Sequence, residues 1–177
     1  MKNVSFIERY TIEDNICEGL IDYYKNNEDY KIKDKQVSSV ALYTQNKNQW
    51  VKAHQEAILQ CIKEYCEKYK INETKLGLNN GSVINCYFPT IGNLNYFYER
   101  DCISNQGNLI SSRTLIYVTY LNDIKEEGET DFYWQKLKIK PKKGLTLIWP
   151  TEFTHIYKHL PTPNKSKYLI TGYVNYI

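Results

Sequence analysis

The sequence predicts an α+β fold in which two amphipathic helices precede a run of short strands and pack on one face of a β-sandwich or barrel. Three observations carry this. Apolar residues recur at helical spacing only in the first 70 or so positions. From position 82 onward the pattern shortens to runs of four to eight residues, punctuated by Gly, Pro, Asn and Asp. The chain of 177 residues is the length of one domain with a sizeable core, so both halves belong to one unit spanning 1–177.

In the first helix Thr11 is the expected N-cap. Ile12, Ile16, Leu20 and Tyr23 then form one stripe at three- and four-residue steps. The second helix is expected from about Asn48 to Tyr69, with Trp50, His54, Ala57, Ile58, Cys61, Ile62, Tyr65 and Tyr69 on one face. His54 on that stripe reads as a satisfied histidine at a helix–sheet contact. Strands are expected at 82–88, 95–99, 114–121, 130–133, 145–149 and 168–174. The helical support thus occupies about 11–70 and the β core about 82–176.

Composition excludes several classes. Apolar residues make up 42%, as in globular chains. The net charge of +3 gives no electrostatic case for nucleic acid, which would need a clustered basic face. The five cysteines are odd in number and form no CxxC pair, which speaks for reduced, buried thiols rather than a disulfide framework or a thiolate zinc site. No apolar run has the length of a signal peptide or a membrane span, so a cytoplasmic protein is expected. The abundance of Tyr, Lys, Asn and Ile fits an AT-rich genome, and with it a viral protein in a host cytoplasm. Neither the oligomeric state nor the physiological substrate is legible.

The informative stretch runs from Arg113 to the C-terminus: RTLIYVTYLND, EEGETDF, KIKPKKGLTLIWP, FTH and KYLITGY, in that order. With NCYFP before it, this stretch resembles the prolyl-4-hydroxylase-like branch of the iron- and 2-oxoglutarate-dependent dioxygenases over roughly 82–176. The resemblance implies a double-stranded β-helix (jelly-roll) core with the N-terminal helices packed on one sheet. It implies Fe(II), 2-oxoglutarate as cosubstrate, ascorbate as an accessory reductant, and a peptidyl side chain as substrate. In that family two histidines and a carboxylate share one metal face. The first histidine and the carboxylate sit as H-x-D/E on one strand, where positions i and i+2 point the same way.

Carried over residue by residue, His155 in WPTEFTH matches the distal histidine, and Lys167 matches the basic residue that meets the far carboxylate of 2-oxoglutarate. Thr171 lies in phase with Lys167, and Tyr87 and Tyr120 match tyrosines over the cosubstrate. In GETDF, Gly128 and Thr130 are expected to serve backbone geometry. Glu99 falls on the carboxylate position, but Phe97 stands where the first histidine belongs, and no histidine lies between His54 and His155. Three readings stay open. Iron binds through Glu99 and His155, with Asp101 as a further ligand. A distant histidine completes the shell, for which His159 is the nearby choice, although it reads as a loop-surface residue. Or the site is catalytically degenerate and the module binds a peptide or protein partner, with the aromatic run around Tyr96–Tyr98 as a docking surface for an extended, proline-rich segment.

Overall fold

The computed structural model describes residues 4–27, 31–33, 37–78, 81–92, 95–98 and 113–176. The chain opens with a strand, β1 (Glu8–Thr11), followed by helix α1 (Asp14–Asn26). Thr11 is therefore not the N-cap. It pairs with Leu145 in an antiparallel ladder, and Glu13 takes the cap position without a side-chain bond. Ladder pairing at Thr11 and the Ile12 N–H donated to the Gly144 carbonyl at 2.8 Å hold this segment extended up to the helix.

Two more strands precede the second helix, β2 (Ile32–Lys33) and β3 (Val37–Leu42). The N-terminal part is thus not purely helical. The VSSVAL of β3 escapes a hydrophobic reading because serines interrupt it, yet its side chains alternate between buried and half-buried. Helix α2 (Gln49–Tyr69) begins where expected: the Asn48 side chain accepts hydrogen bonds from the N–H groups of Trp50 and Val51. Its buried face comprises Val51, His54, Ile58, Cys61, Ile62, Tyr65 and Cys66. The two helices meet closely at Gly19, where an added Cβ would lie 2.3 Å from the Trp50 ring.

The remaining described strands are β4 (Leu76–Gly77), β5 (Ser82–Tyr87), β6 (Arg113–Tyr120), β7 (Thr130–Phe132), β8 (Leu137–Ile139), β9 (Leu145–Pro150), β10 (Tyr157–His159) and β11 (Lys167–Tyr176). They form two antiparallel sheets. The larger runs β1-β9-β6-β11-β5-β3-β2, with β4 added to β11, and the smaller runs β10-β7-β8. The strand expected at 95–99 contributes one described bridge, Phe97 to Tyr157, which lengthens the smaller sheet beyond β10. Its last residue, Glu99, lies outside the described residues.

Strand periodicity divides the core in two. Leu115 and Tyr117 of β6 face the helices, with Ile84, Ile148 and Ile170 of neighbouring strands. Ile116, Val118 and Tyr120 of the same strand face the smaller sheet, where they join Leu147, Trp149, Leu169, Phe132 and Tyr157. His54 crosses the helical layer as expected. Its Nε2 is 3.0 Å from the Thr119 hydroxyl, which in turn bonds Thr146 at 2.8 Å. Full burial pushes its pKa down to about 3, so it is a neutral core histidine. The four described cysteines are all buried and free. Among the described residues no helix is long and apolar enough to cross a membrane.

Candidate functional site

The interior between the two sheets holds most of the expected site residues. Lys167 opens β11 opposite Tyr87 of β5 and is fully buried, whereas Lys165 two positions earlier is exposed. Its Nζ donates to the backbone carbonyls of Gly128 at 2.9 Å and Leu160 at 2.7 Å, and lies 5.4 Å from the centre of the Tyr87 ring. Burial without a bonded carboxylate pushes its pKa down to about 7, with Glu129 pulling weakly the other way. Gly128 presents its carbonyl from a left-handed backbone (φ +79°), and an added Cβ would lie 2.6 Å from the Thr162 methyl. Gly128 thus serves geometry, as its motif implied.

Thr130 does more than that. Its hydroxyl bonds both the Tyr120 phenol and, at 2.8 Å, Nδ1 of His159. Tyr120, Thr130 and His159 form one hydrogen-bonded run through the interior. His159 is consequently not a loop-surface residue. It is 2% exposed, sits on β10, and packs its ring 5.6 Å from Tyr87 and 5.4 Å from Tyr157. Burial first, and then the Lys167 charge, hold its pKa well below the usual imidazole range. The missed signal was a period-two reading of IYKHL: Tyr157 and His159 alternate inward on a short strand, which the flanking prolines disguised as loop.

Phe97 faces Tyr157. The two residues exchange backbone hydrogen bonds of 3.0 and 2.9 Å, and their ring centroids are 4.5 Å apart. With Tyr87, His159, Thr171 and Tyr173 they line a cavity of about 170 Å³. Lys167 lies behind its Tyr87–His159 wall rather than on its surface.

His155 does not join this group. It ends a 3-10 turn, Phe153–His155, which takes it out of the alternation of β10. Its Nε2 lies 2.9 Å from the Ser5 carbonyl, an atom that only accepts, so Nε2 carries the proton. Its Nδ1 then accepts from the Thr154 hydroxyl at 2.9 Å. Both ring nitrogens are engaged, and burial lowers the imidazole pKa. The ring borders a different cavity, of about 410 Å³, with Phe6, Tyr65, Tyr69, Leu115 and Pro150. His155 and Lys167 share no partner among the described interactions. Glu99, Asp101 and Arg100 lie outside the described residues.

These facts test the implied metal and cosubstrate. Among the described residues no group of three His, Cys, Asp or Glu could hold a metal ion. Phe97 offers no donor atom, and the nitrogens of His155 are used. The described residues do not fit Fe(II). For a carboxylate ligand they offer the Lys167 ammonium beside the Tyr87 ring, although its Nζ is already bonded to two carbonyls.

No family model matches the chain, and no curated protein matches its sequence. Solved structures do match. A viral collagen prolyl hydroxylase from Paramecium Bursaria Chlorella virus-1, in its 2-oxoglutarate complex, superposes with a TM-score of 0.77 at 18% identity, covering 98% of this chain and 97% of that one. A prolyl-4-hydroxylase from Pseudomonas putida gives 0.71 at 11% identity, covering 97% and 93%. A Trichoplax adhaerens prolyl hydroxylase, in complex with a hypoxia inducible factor oxygen degradation domain peptide fragment, gives 0.69 at 12% identity, covering 98% and 84%. The chain has the fold of the prolyl-4-hydroxylase-like 2-oxoglutarate–Fe(II) oxygenases.

Proposed function

We propose that this chain is a double-stranded β-helix module that keeps the prolyl-hydroxylase fold but has given up iron chemistry, and that it binds an extended peptide or protein segment at the aromatic cavity. The single observation carrying this reading is the Phe97–Tyr157 pair. Two facing rings 4.5 Å apart join the packed interior at the strand position where the family resemblance expects a metal-binding histidine. The cavity beside them is walled by Tyr87, Phe97, Tyr157 and Tyr173, and it suits an apolar side chain with a polar edge.

A second reading, an Fe(II)- and 2-oxoglutarate-dependent hydroxylase of a peptidyl side chain, is favoured by Lys167. A fully buried ammonium is expensive, and a cosubstrate carboxylate would offset that cost. In this reading Glu99, His155 and Asp101 hold the metal, Lys167 and Thr171 meet the cosubstrate with Tyr87 and Tyr120 over it, and ascorbate is an accessory.

Anaerobic titration with Fe(II) and 2-oxoglutarate separates the two. The degenerate module shows no metal-to-ligand absorption band and releases no succinate in air. A band in the wild-type protein, with succinate release above the uncatalysed background, would overturn the first reading in favour of the second. The Phe97→His variant calibrates the result: a gain in Fe(II) affinity shows that position 97 faces the remaining ligands.

A further inference from the structure

The exposed side of the smaller sheet carries a charge pattern that the net charge of the chain conceals. From the β7–β8 turn onward, Lys136, Lys138, Lys140 and Lys142 are all exposed, while Ile139 and Pro141 between them are buried. Lys136 lies in the turn itself, Lys138 on β8, and Lys140 and Lys142 on the segment leading to β9, so the four cations form a row along the chain. Arg9 of β1 meets three of them, and together they line an open pocket of about 520 Å³ whose charged lining residues are all basic. The neighbouring Lys143 does not belong to it, being turned to Glu18 at 2.7 Å and Asp14 at 3.4 Å.

The row runs into a set of exposed rings. Lys138 lies 3.9 Å from Asp131, whose carboxylate accepts the Tyr96 hydroxyl at 2.8 Å. The Tyr96 ring packs 5.1 Å from Tyr133, and Tyr133 packs 4.8 Å from Trp134. Lys158 sits 4.5 Å over Tyr96. Tyr133 is 50% exposed and Trp134 62% exposed. A ladder of cations thus joins a platform of open aromatic faces, with Asp131 largely buried and already bonded.

We propose that this strip binds single-stranded nucleic acid, with phosphates on Arg9, Lys138, Lys140 and Lys142 and unpaired bases stacked on Tyr133 and Trp134. Cations alone would suit any polyanion. The adjoining π faces are what select a strand with accessible bases, because base stacking is tolerant of sequence and is lost in a closed duplex. The site is separate from the interior cavity, and its occupancy does not depend on whether iron or 2-oxoglutarate binds.

Fluorescence anisotropy with fluorescein-labelled twelve-nucleotide oligo-U and oligo-dT tests this, over a series of salt concentrations. The expected result is saturable binding that weakens linearly in log–log salt dependence, at about −0.7 per phosphate contacted. Lys140→Glu with Lys142→Glu should lower affinity at least tenfold and flatten that slope by about 1.4, for two lost contacts. Trp134→Ala should lower affinity about fivefold or more while leaving the slope unchanged. All substituted side chains are exposed, so circular dichroism should be unaltered. Absence of wild-type binding at low salt overturns the proposal. So does equal competition by heparin, poly-glutamate or duplex DNA of matched charge combined with an inert Trp134→Ala, which would leave only a generic polyanion surface.

Discussion

Replacing Lys167 with Met should remove a specific pH dependence of stability. The ammonium is fully buried between two carbonyls, and its pKa falls from 10.5 to about 7. The unfolded chain therefore keeps a proton that the native chain releases between those values. Where the unfolded state binds more protons, stability rises with pH. Between pH 7 and 8.5 this one group should add about 1.6 kcal/mol, on the scale of 1.36 kcal/mol per pH unit. Other groups, unfolded cysteine thiols among them, also titrate in this window, but they are common to both proteins and cancel in the difference. Urea denaturation of wild type and Lys167→Met at pH 7.0, 7.5, 8.0 and 8.5 measures the difference directly. Met itself leaves the Gly128 and Leu160 carbonyls without the ammonium, a penalty of about 1–3 kcal/mol each that is constant over the range. Only the slope difference is diagnostic. If the two proteins gain stability in parallel, Lys167 does not titrate in this window, and the account of its burial is wrong.

Acidification should lower stability through the histidines as well. His54, His155 and His159 all have lowered pKa values, so stability present above pH 6.5 is lost as pH falls, and His54→Gln should flatten that loss in calorimetric melts. Thr119→Val leaves the buried His54 Nε2 and the Thr146 hydroxyl short of a partner, and should cost about 1–3 kcal/mol in chemical denaturation. Gly172→Ala places a Cβ 2.1 Å from the Tyr117 hydroxyl between β11 and β6; an overpacking loss of about 1–3 kcal/mol should appear as a lower Tm, and a neutral result would mean that Tyr117 has room to swing aside.

Helix α2 was legible because its stripe and its Asn48 cap agree, so two independent signals mark one start. Strands β5, β6, β9 and β11 were legible from their apolar runs. Strands β1 and β3 were hidden because their pairing partners, β9 and β5, lie far along the chain, and local patterning carries no record of such pairing. Lys167 could be placed inside by alternation against Lys165. His155 could not be placed by spacing, because a single 3-10 turn rotates it toward Ser5. His159 and Thr130 were undervalued because each looks ordinary alone, and their role comes from meeting across β7 and β10. The basic row between the β7–β8 turn and β9 was averaged away by acidic residues elsewhere, which shows that net charge is a poor guide to a local face.

The Lys167 ammonium has a consequence for how the molecule opens. It fastens the first residue of β11 to the carbonyl two residues before β7 and to the carbonyl just after β10. One cation thus rivets the larger sheet to two adjacent strands of the smaller one, β7 and β10. Amide hydrogens of β7 and β10 should then exchange with solvent as a single cooperative block rather than strand by strand. Raising the pH past 7 draws the proton from the rivet and weakens each of its charge-assisted bonds to a neutral one. Opening that solvates Lys167 lets the amine take its proton back, so opening of this block should become harder as pH rises above 7, in step with global stability.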